Sequence, residues 1–440
     1  MSERLQRNGW FAYFALTLFW GISAYAQIIS YFRQGTLFLH YENKSLIVND
    51  FVLWYNAALL AARAGSERLN VYDPAVQFVS LKALVLPHVL DVVRIVDYPP
   101  HFFALVRPLA PLGLGNSWIV WCLLALVPIV MALVQLSKHL QATLFTRVFF
   151  VVASLAAYPT WYAFELGQTT LFQFPALVAY WLLLRADRLF LAGLAAGLLT
   201  VKLQYAPCVV VVGLLLGRLR FLWGLLSCAC ALGAYTIYVV GWNNVIVYPK
   251  ALLFAETSDQ VAGVCAEVMQ NFRGQFLALN LSGQIVHHLS AALFGIGILA
   301  VFLIWLLLHP RLSKAIGLRS FDICVSITTF VMLVCSPHTH FQDYMAIAIP
   351  VAFLYPLLKE SAAKDRKLTA LRVLLWGFPF FSWLSVVFLV PIVRLHIQPY
   401  FVWALGVIII GSVKGLESLK SMGFCGMPDV QPSGELKPDG

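Results

Sequence analysis

The sequence predicts an all-α polytopic membrane protein, and three observations carry that prediction. First, 61% of its 440 residues are hydrophobic and only 11% are charged, whereas soluble domains average about 25% charged and about 45–50% apolar residues. Second, the mean hydropathy is +0.82, and the apolar residues gather in runs near the ~20 residues that cross a bilayer as a helix. Third, Lys and Arg cluster between those runs, where a positive-inside bias puts them. This arithmetic excludes soluble enzymes, disulfide-stapled secreted modules and disordered proteins. The formal net charge of +10 therefore implies no nucleic-acid partner.

The first run, residues 10 to 32, follows Arg4 and Arg7. Ala24-Tyr25-Ala26 has the look of a cleavage site, but the run continues through Ile28, Ile29 and Phe32 to spanning length, so it reads as an uncleaved anchor. Further runs lie at 116 to 137, 148 to 164, 169 to 184, 189 to 204, 206 to 217, 221 to 241, 284 to 308, 321 to 336, 344 to 358, 369 to 391 and 399 to 413, about twelve spans in all. With the N-terminus cytoplasmic, the connections carrying Lys138/Arg147, Arg185/Arg188, Arg218/Arg220, Arg311/Lys314/Arg319 and Lys359/Lys364/Arg366/Lys367 all fall inside, as does Lys414. The short connections 165 to 168 and 337 to 343 carry no Lys or Arg and fall outside. Residues 1–413 are expected to form one transmembrane domain and 414–440 a cytoplasmic tail, its polar, Gly- and Pro-containing end from Met422 disordered. Cys122, Cys208, Cys228, Cys230, Cys265, Cys324, Cys335 and Cys425 lack metal-ligand spacing and mostly sit in apolar runs, so they read as small packing residues.

This topology leaves two long segments outside, 33–115 and 242–283, and function is expected there because the inner loops are too short to build a site. In the first, residues 51, 54, 55, 58, 59 and 62 place Phe, Trp, Tyr, Ala, Leu and Ala on one helical face, predicting a helix in the membrane interface. Asp73-Pro74, a cap followed by proline at the first helical position, predicts a second helix to about Leu86 with Gln77 and Ser80 on its polar side. Tyr98-Pro99-Pro100 opens a third stretch, broken by Arg107-Pro108 and Pro111. Gly193/Gly197 and Gly213/Gly217 have small-xxx-small spacing, which close helix packing explains.

Four places carry candidate chemistry. Asp50 stands where the first interfacial helix begins; it reads as a helix cap or as a general base for a hydroxyl arriving from water. In the tight connection Glu165-Leu166-Gly167-Gln168, Gln168 is placed to hydrogen-bond a sugar and Glu165 to orient an acceptor or hold a cation, although polar residues and Gly are also ordinary connectors. Lys202, beside Gln204 and Tyr205, either snorkels or is reserved for a lipid-linked phosphate. Ser336-Pro337-His338-Thr339-His340-Phe341-Gln342-Asp343-Tyr344 concentrates polar groups in one short connection. His338 and His340 suit hydrogen bonding to a phosphate better than zinc, for which a strong third ligand is lacking. Tyr248, Lys250, Glu256, Asp259, Glu267, Asn271 and Arg273 of the second outer segment read as acceptor contacts or as solvated groups.

These pieces in this order resemble glycosyltransferase family 87, whose members are GT-C membrane glycosyltransferases and include polyprenol-phosphate-mannose-dependent mannosyltransferases. The resemblance rests on Asn49-Asp50-Phe51 with Tyr55, Val71-Tyr72-Asp73-Pro74, Tyr98-Pro99-Pro100, Gly167-Gln168, Val201-Lys202 and Ser336-Pro337-His338. It implies a GT-C-like fold and a hexose, mannose favoured, carried on a polyprenyl phosphate. Transfer to a glycolipid or glycan hydroxyl would take place on the extracytoplasmic face of a bacterial inner membrane. By the same resemblance Asp50 is the base, Lys202, His338 and His340 form the donor-phosphate side, and Asn49, Tyr55, Tyr98, Glu165 and Gln168 contact sugar or acceptor; no cofactor or metal is called for. A transporter or flippase for a lipid-linked substrate is the rival from another class. It would put ionisable groups at mid-membrane in paired broken helices, not at one face.

Overall fold

The computed structural model describes residues 3–42, 45–90, 94–257, 269–308, 314–361, 365–389 and 397–421. The tail from Met422, together with Cys265, Cys425, Asp259, Glu267, Arg311 and Lys364, lies outside the described residues. The apolar runs become helices, as they must where no water is available to bond the backbone. In chain order these are α1 (Glu3–Gln34), α2 (Asp50–Glu67), α3 (Pro74–Leu84), α4 (Pro100–Val106), α5 (Leu114–Lys138), α6 (Leu144–Ala156), α7 (Tyr158–Leu166), α8 (Thr170–Arg185) and α9 (Leu189–Leu198). They continue with α10 (Ala206–Val240), α11 (Trp242–Thr257), α12 (Phe272–Ala278), α13 (Gly283–Leu308), α14 (Lys314–Cys335), α15 (Ala348–Ser361), α16 (Arg366–Trp376), α17 (Phe378–Leu384) and α18 (Pro399–Ser421). One feature departs from an all-α chain: β1 (Leu39–Glu42) and β2 (Ser45–Val48) form an antiparallel hairpin, Leu39 opposite Val48, just before α2.

Six helical stretches among the described residues are long and apolar enough to cross a membrane: Ala12–Gln34, Leu114–Lys138, Leu219–Val240, Gly283–Leu307, Leu318–Cys335 and Phe341–Lys359. Two bent pairs, Leu144–Ala156 with Tyr158–Leu166 and Arg366–Trp376 with Phe378–Val387, raise the number to eight if each is one span. Of the twelve runs expected to span, length and composition thus support six to eight. Four of the sequence runs form helices of only 10–17 residues, Thr170–Arg185, Leu189–Val201, Ala206–Leu216 and Pro399–Gly411, shorter than the ~20 a straight crossing needs. The break in the first bent pair has a local cause. Pro159, in the first turn of α7, has no N–H to continue the ladder from α6.

The assigned helix α10 is not straight. The Cα of Gly213 lies so close to the Phe221 ring that an added Cβ would meet it at 2.2 Å, yet eight residues of straight helix rise about 12 Å. The helix therefore bends sharply between these positions, where the sequence separates two runs at Arg218/Arg220. Beyond the bend it lies along α9: a Cβ on Gly193 would meet the Phe221 carbonyl at 2.2 Å, and one on Gly197 would meet Cys228 at 2.5 Å. The Gly193/Gly197 pair thus packs α9 closely against α10.

At one end of the bundle the C-terminal ends of α5 and α8 converge with the start of α14. Arg185 makes a two-pronged ion pair with Asp322 (2.8 and 3.1 Å) and lies 6.0 Å from the Phe353 ring, against which His139 also packs. The opposite ends of α8 and α14 adjoin the cavity described below, which Gln168 and Pro337 line.

The first long segment is folded into the protein. Helix α2 buries Phe51, Val52, Leu53, Trp54, Tyr55, Asn56, Ala57, Ala58, Leu60, Ala61 and Ala64, residues on every side of its axis. Helix α2 is enclosed by α3, α4, α5 and α10, so its buried residues are not confined to the single apolar face that the periodicity predicts. Helix α3 begins as expected, with the Asp73 side chain accepting from the Ala75 N–H at 2.8 Å. Gln77, however, is not on a wet face. It is buried, donates to the Val71 and Val96 carbonyls (2.8 and 3.2 Å) and accepts from the Val96 N–H (2.6 Å), joining α3 to the loop that carries Tyr98.

Candidate active site

A cavity of about 800 Å3 opens where the β2–α2 junction, the 94–99 loop, the α7–α8 turn, the α9–α10 break and the 337–342 loop meet. Two of these junctions have a clear local cause. Asn49 caps α2: its Oδ1 accepts from the Phe51 N–H at 2.9 Å, while its Nδ2 donates to the Glu165 carbonyl at 2.7 Å. Asp50 is thus the first residue of α2 and not its cap. Between α7 and α8, Gly167 takes φ +63°, a left-handed conformation glycine adopts readily, and a Cβ there would meet Phe51 at 2.7 Å. Trp54 Nε1 donates to the Gly167 carbonyl at 3.0 Å. The helix cap and the turn therefore hold each other, and they bring Asp50 to Gln168, whose amide donates to the carboxylate.

Burial pushes the Asp50 carboxyl up to about 6, against the opposing pull of Arg94, Lys202 and the Gln168 hydrogen bond. Such a group is ionised at neutral pH and close to the range in which a carboxylate accepts a proton efficiently. Arg94 donates to the Val48 carbonyl at 3.3 Å beside it. Tyr98 hydrogen-bonds Thr169 across the site at 3.0 Å; burial, outweighing the Thr169 bond, holds its phenol well above the usual range.

Another part of the lining is rich in cationic and imidazole groups. Lys202 stands in the break after α9, paired with the buried carboxylate of Asp343. Arg273 Nη1 lies 3.5 Å from His338 Nε2, and Gln204 donates to the His338 carbonyl at 2.5 Å. Burial drives the His340 imidazole down to about 3, outweighing the nearby Asp343 carboxylate, so it is neutral at pH 7. Among the described residues no group of three or more His, Cys, Asp or Glu side chains is arranged to hold a metal ion.

Of the residues singled out in the sequence, Asn49, Asp50, Tyr98, Gln168, Lys202, His338 and His340 line this one cavity, as do Tyr248 and Arg273. Tyr55 and Glu165 do not: Tyr55 donates to the Ala110 carbonyl at 3.0 Å, and Glu165 reaches the site only through its backbone bond to Asn49. Asn271 is a structural cap, bonded to the Gly274 N–H and the Ser336 carbonyl, and Lys250 is exposed. Sequence reasoning missed Arg94 and Asp97, which line the cavity without any motif around them. It also gave no role to Asp343. A signal for that residue existed, since a lysine inside an apolar chain needs a counter-charge and Asp343 is the acid of the polar 336–344 run.

The family model for glycosyltransferase family 87 matches residues 97–337, more than half of the chain, and the chain belongs to that family. It is a membrane glycosyltransferase. The match takes in Tyr98, Gln168 and Lys202, while Asp50 precedes it and His338 and His340 follow it. No curated protein and no solved structure matches the chain.

Proposed function

We propose that the protein moves a hexose, mannose favoured, from a polyprenyl-phosphate donor to a hydroxyl of a glycolipid or glycan acceptor, with inversion and with Asp50 as general base. The observation that carries this reading is the pairing, across one cavity, of a carboxylate of raised pKa with a wall built from Lys202, Arg273 and His338. Asp50 takes the proton of the acceptor hydroxyl as its oxygen attacks the anomeric carbon, and the bond from that carbon to the phosphate oxygen breaks on the opposite face. The departing phosphate gains negative charge, which the cations stabilise in a site shielded from bulk water. Gln168 keeps the Asp50 carboxylate oriented, and Asn49 fixes the helix end that carries it.

In this reading the fold is GT-C-like, with the four shorter apolar helices completing about twelve spans. Both termini are cytoplasmic and the cavity opens on the extracytoplasmic face of a bacterial inner membrane. The Arg185 end of the bundle, remote from the cavity, carries the basic connections expected on the cytoplasmic side.

The test is transfer by purified, reconstituted protein supplied with a polyprenyl-phosphate mannose and a glycolipid acceptor. Wild-type protein is expected to release polyprenyl phosphate and form an inverted glycoside, and Asp50→Asn to bind donor without turnover. Wild-type turnover by that variant would remove Asp50 as the base.

A further inference from the structure

Lys202 and Asp343 form a buried, heavily bonded polar cluster, and only one of the two faces the cavity. Lys202 lines it, whereas Asp343 is 0% exposed and does not. Besides the Lys202 ammonium, the Asp343 carboxylate receives Tyr205 Oη at 2.8 Å, Thr170 Oγ1 at 2.9 Å and the His340 backbone N–H at 2.9 Å. These donors come from the α9–α10 break, the start of α10, the start of α8 and the 337–342 loop. One carboxylate thus joins the separate pieces of backbone that build the cationic wall.

We infer that Asp343 is a positioning residue: it holds the charge of Lys202 at the cavity wall and fixes the His338–His340 loop to the same point. Desolvating an ammonium is costly unless a counter-charge stands beside it. The carboxylate meets that cost from behind, leaving the cavity side of Lys202 for an anion. The other charged and titratable groups facing this cluster are Asp50 of α2, Tyr98, Tyr205 and Tyr344, and His340 with its neighbours His338 and Arg273. None replaces Asp343: Asp50 is held by Gln168, and the phenols and the His340 ring carry no negative charge at pH 7. The idea that the anion is a prenyl phosphate rests on the function proposed above; the anchoring of Lys202 does not.

Acylation of Lys202 by acetic anhydride, followed by peptide mass spectrometry at pH 8, tests the anchoring without substrate, because only a neutral amine reacts. With the counter-charge removed in Asp343→Asn, burial favours the neutral amine, and Lys202 is expected to react at least tenfold faster than in wild type. Asp343→Glu, which restores the charge, should return the slow rate. Equal rates in wild type and Asp343→Asn would overturn the inference. The double variant Lys202→Met/Asp343→Leu, which replaces the buried pair with apolar side chains, should remain folded by thermal melting yet bind farnesyl phosphate at least tenfold more weakly. Undiminished binding would overturn the part of the inference that gives the cavity side of Lys202 to a prenyl phosphate, while the acylation rates decide the anchoring. If wild type binds no farnesyl phosphate while the acylation shift appears, the anchoring role stands and the phosphate-donor reading falls.

Discussion

Asp50 owes its chemical character to three neighbours and a wall of apolar side chains. Burial raises its carboxyl to about 6, while Arg94, Lys202 and Gln168 pull it down. A base must be unprotonated to act, so transfer should fall on the acid side of pH 6, by roughly tenfold per unit once well below it. Removing the proposed base altogether, in Asp50→Asn, should cost on the order of 100- to 10,000-fold in kcat. Gln168→Leu deletes a hydrogen bond that favours the charged form, so the acid limb of the rate profile should move to higher pH. A profile left in place would show that Asp50 does not govern that limb. Asp50 could be singled out from the sequence because a carboxylate at the start of an aromatic-rich helix is conspicuous in a chain with 11% charged residues. Arg94 could not, since nothing local distinguishes one arginine in a loop from another and only the fold brings it to Val48.

At the scale of single elements, the α7–α8 turn and the first turn of α2 behave as one unit. Gly167→Ala would force a methyl against Phe51, at 2.7 Å, in a left-handed backbone; the expected cost is about 1–3 kcal/mol, seen as a lower melting temperature in detergent. Activity should suffer more than stability, because the same shift moves Gln168 away from Asp50. Capping and turn chemistry were readable along the chain: Asp73-Pro74 starts α3, and Tyr98-Pro99-Pro100 opens α4. The surroundings of α2 were not. Its apolar face is real, but periodicity reports only that one side is apolar; Asn56 and Gln77 are buried by bonds to backbone that lies twenty residues away or on other elements. A hydropathy run likewise cannot show whether the chain crosses the bilayer straight, as Leu114–Lys138 does by length, or breaks, as at Pro159.

For the whole molecule, the separation of basic end from cavity makes an orientation prediction. In a cysteine-depleted background, Ser66→Cys, exposed near the C-terminal end of α2, should react with an impermeant maleimide added outside intact cells, and Asp187→Cys, exposed after α8, only after permeabilisation. The reverse pattern would put the proposed chemistry in the cytosol and remove the lipid-phosphate donor from its face.

The enclosure of α2 also bears on how the protein is made. Its far end is tied by Asn244, which accepts from the Val71 N–H at 2.9 Å and donates to the Leu69 carbonyl at 3.0 Å, and its flanks are closed by α4 and α10. The chain must therefore be made as far as Asn244, 194 residues after Asp50, before this segment can reach its final neighbours. Until then the Asp50 end of a nascent chain stays open, so a truncated product ending before α11 should insert into the membrane and yet form no working enzyme.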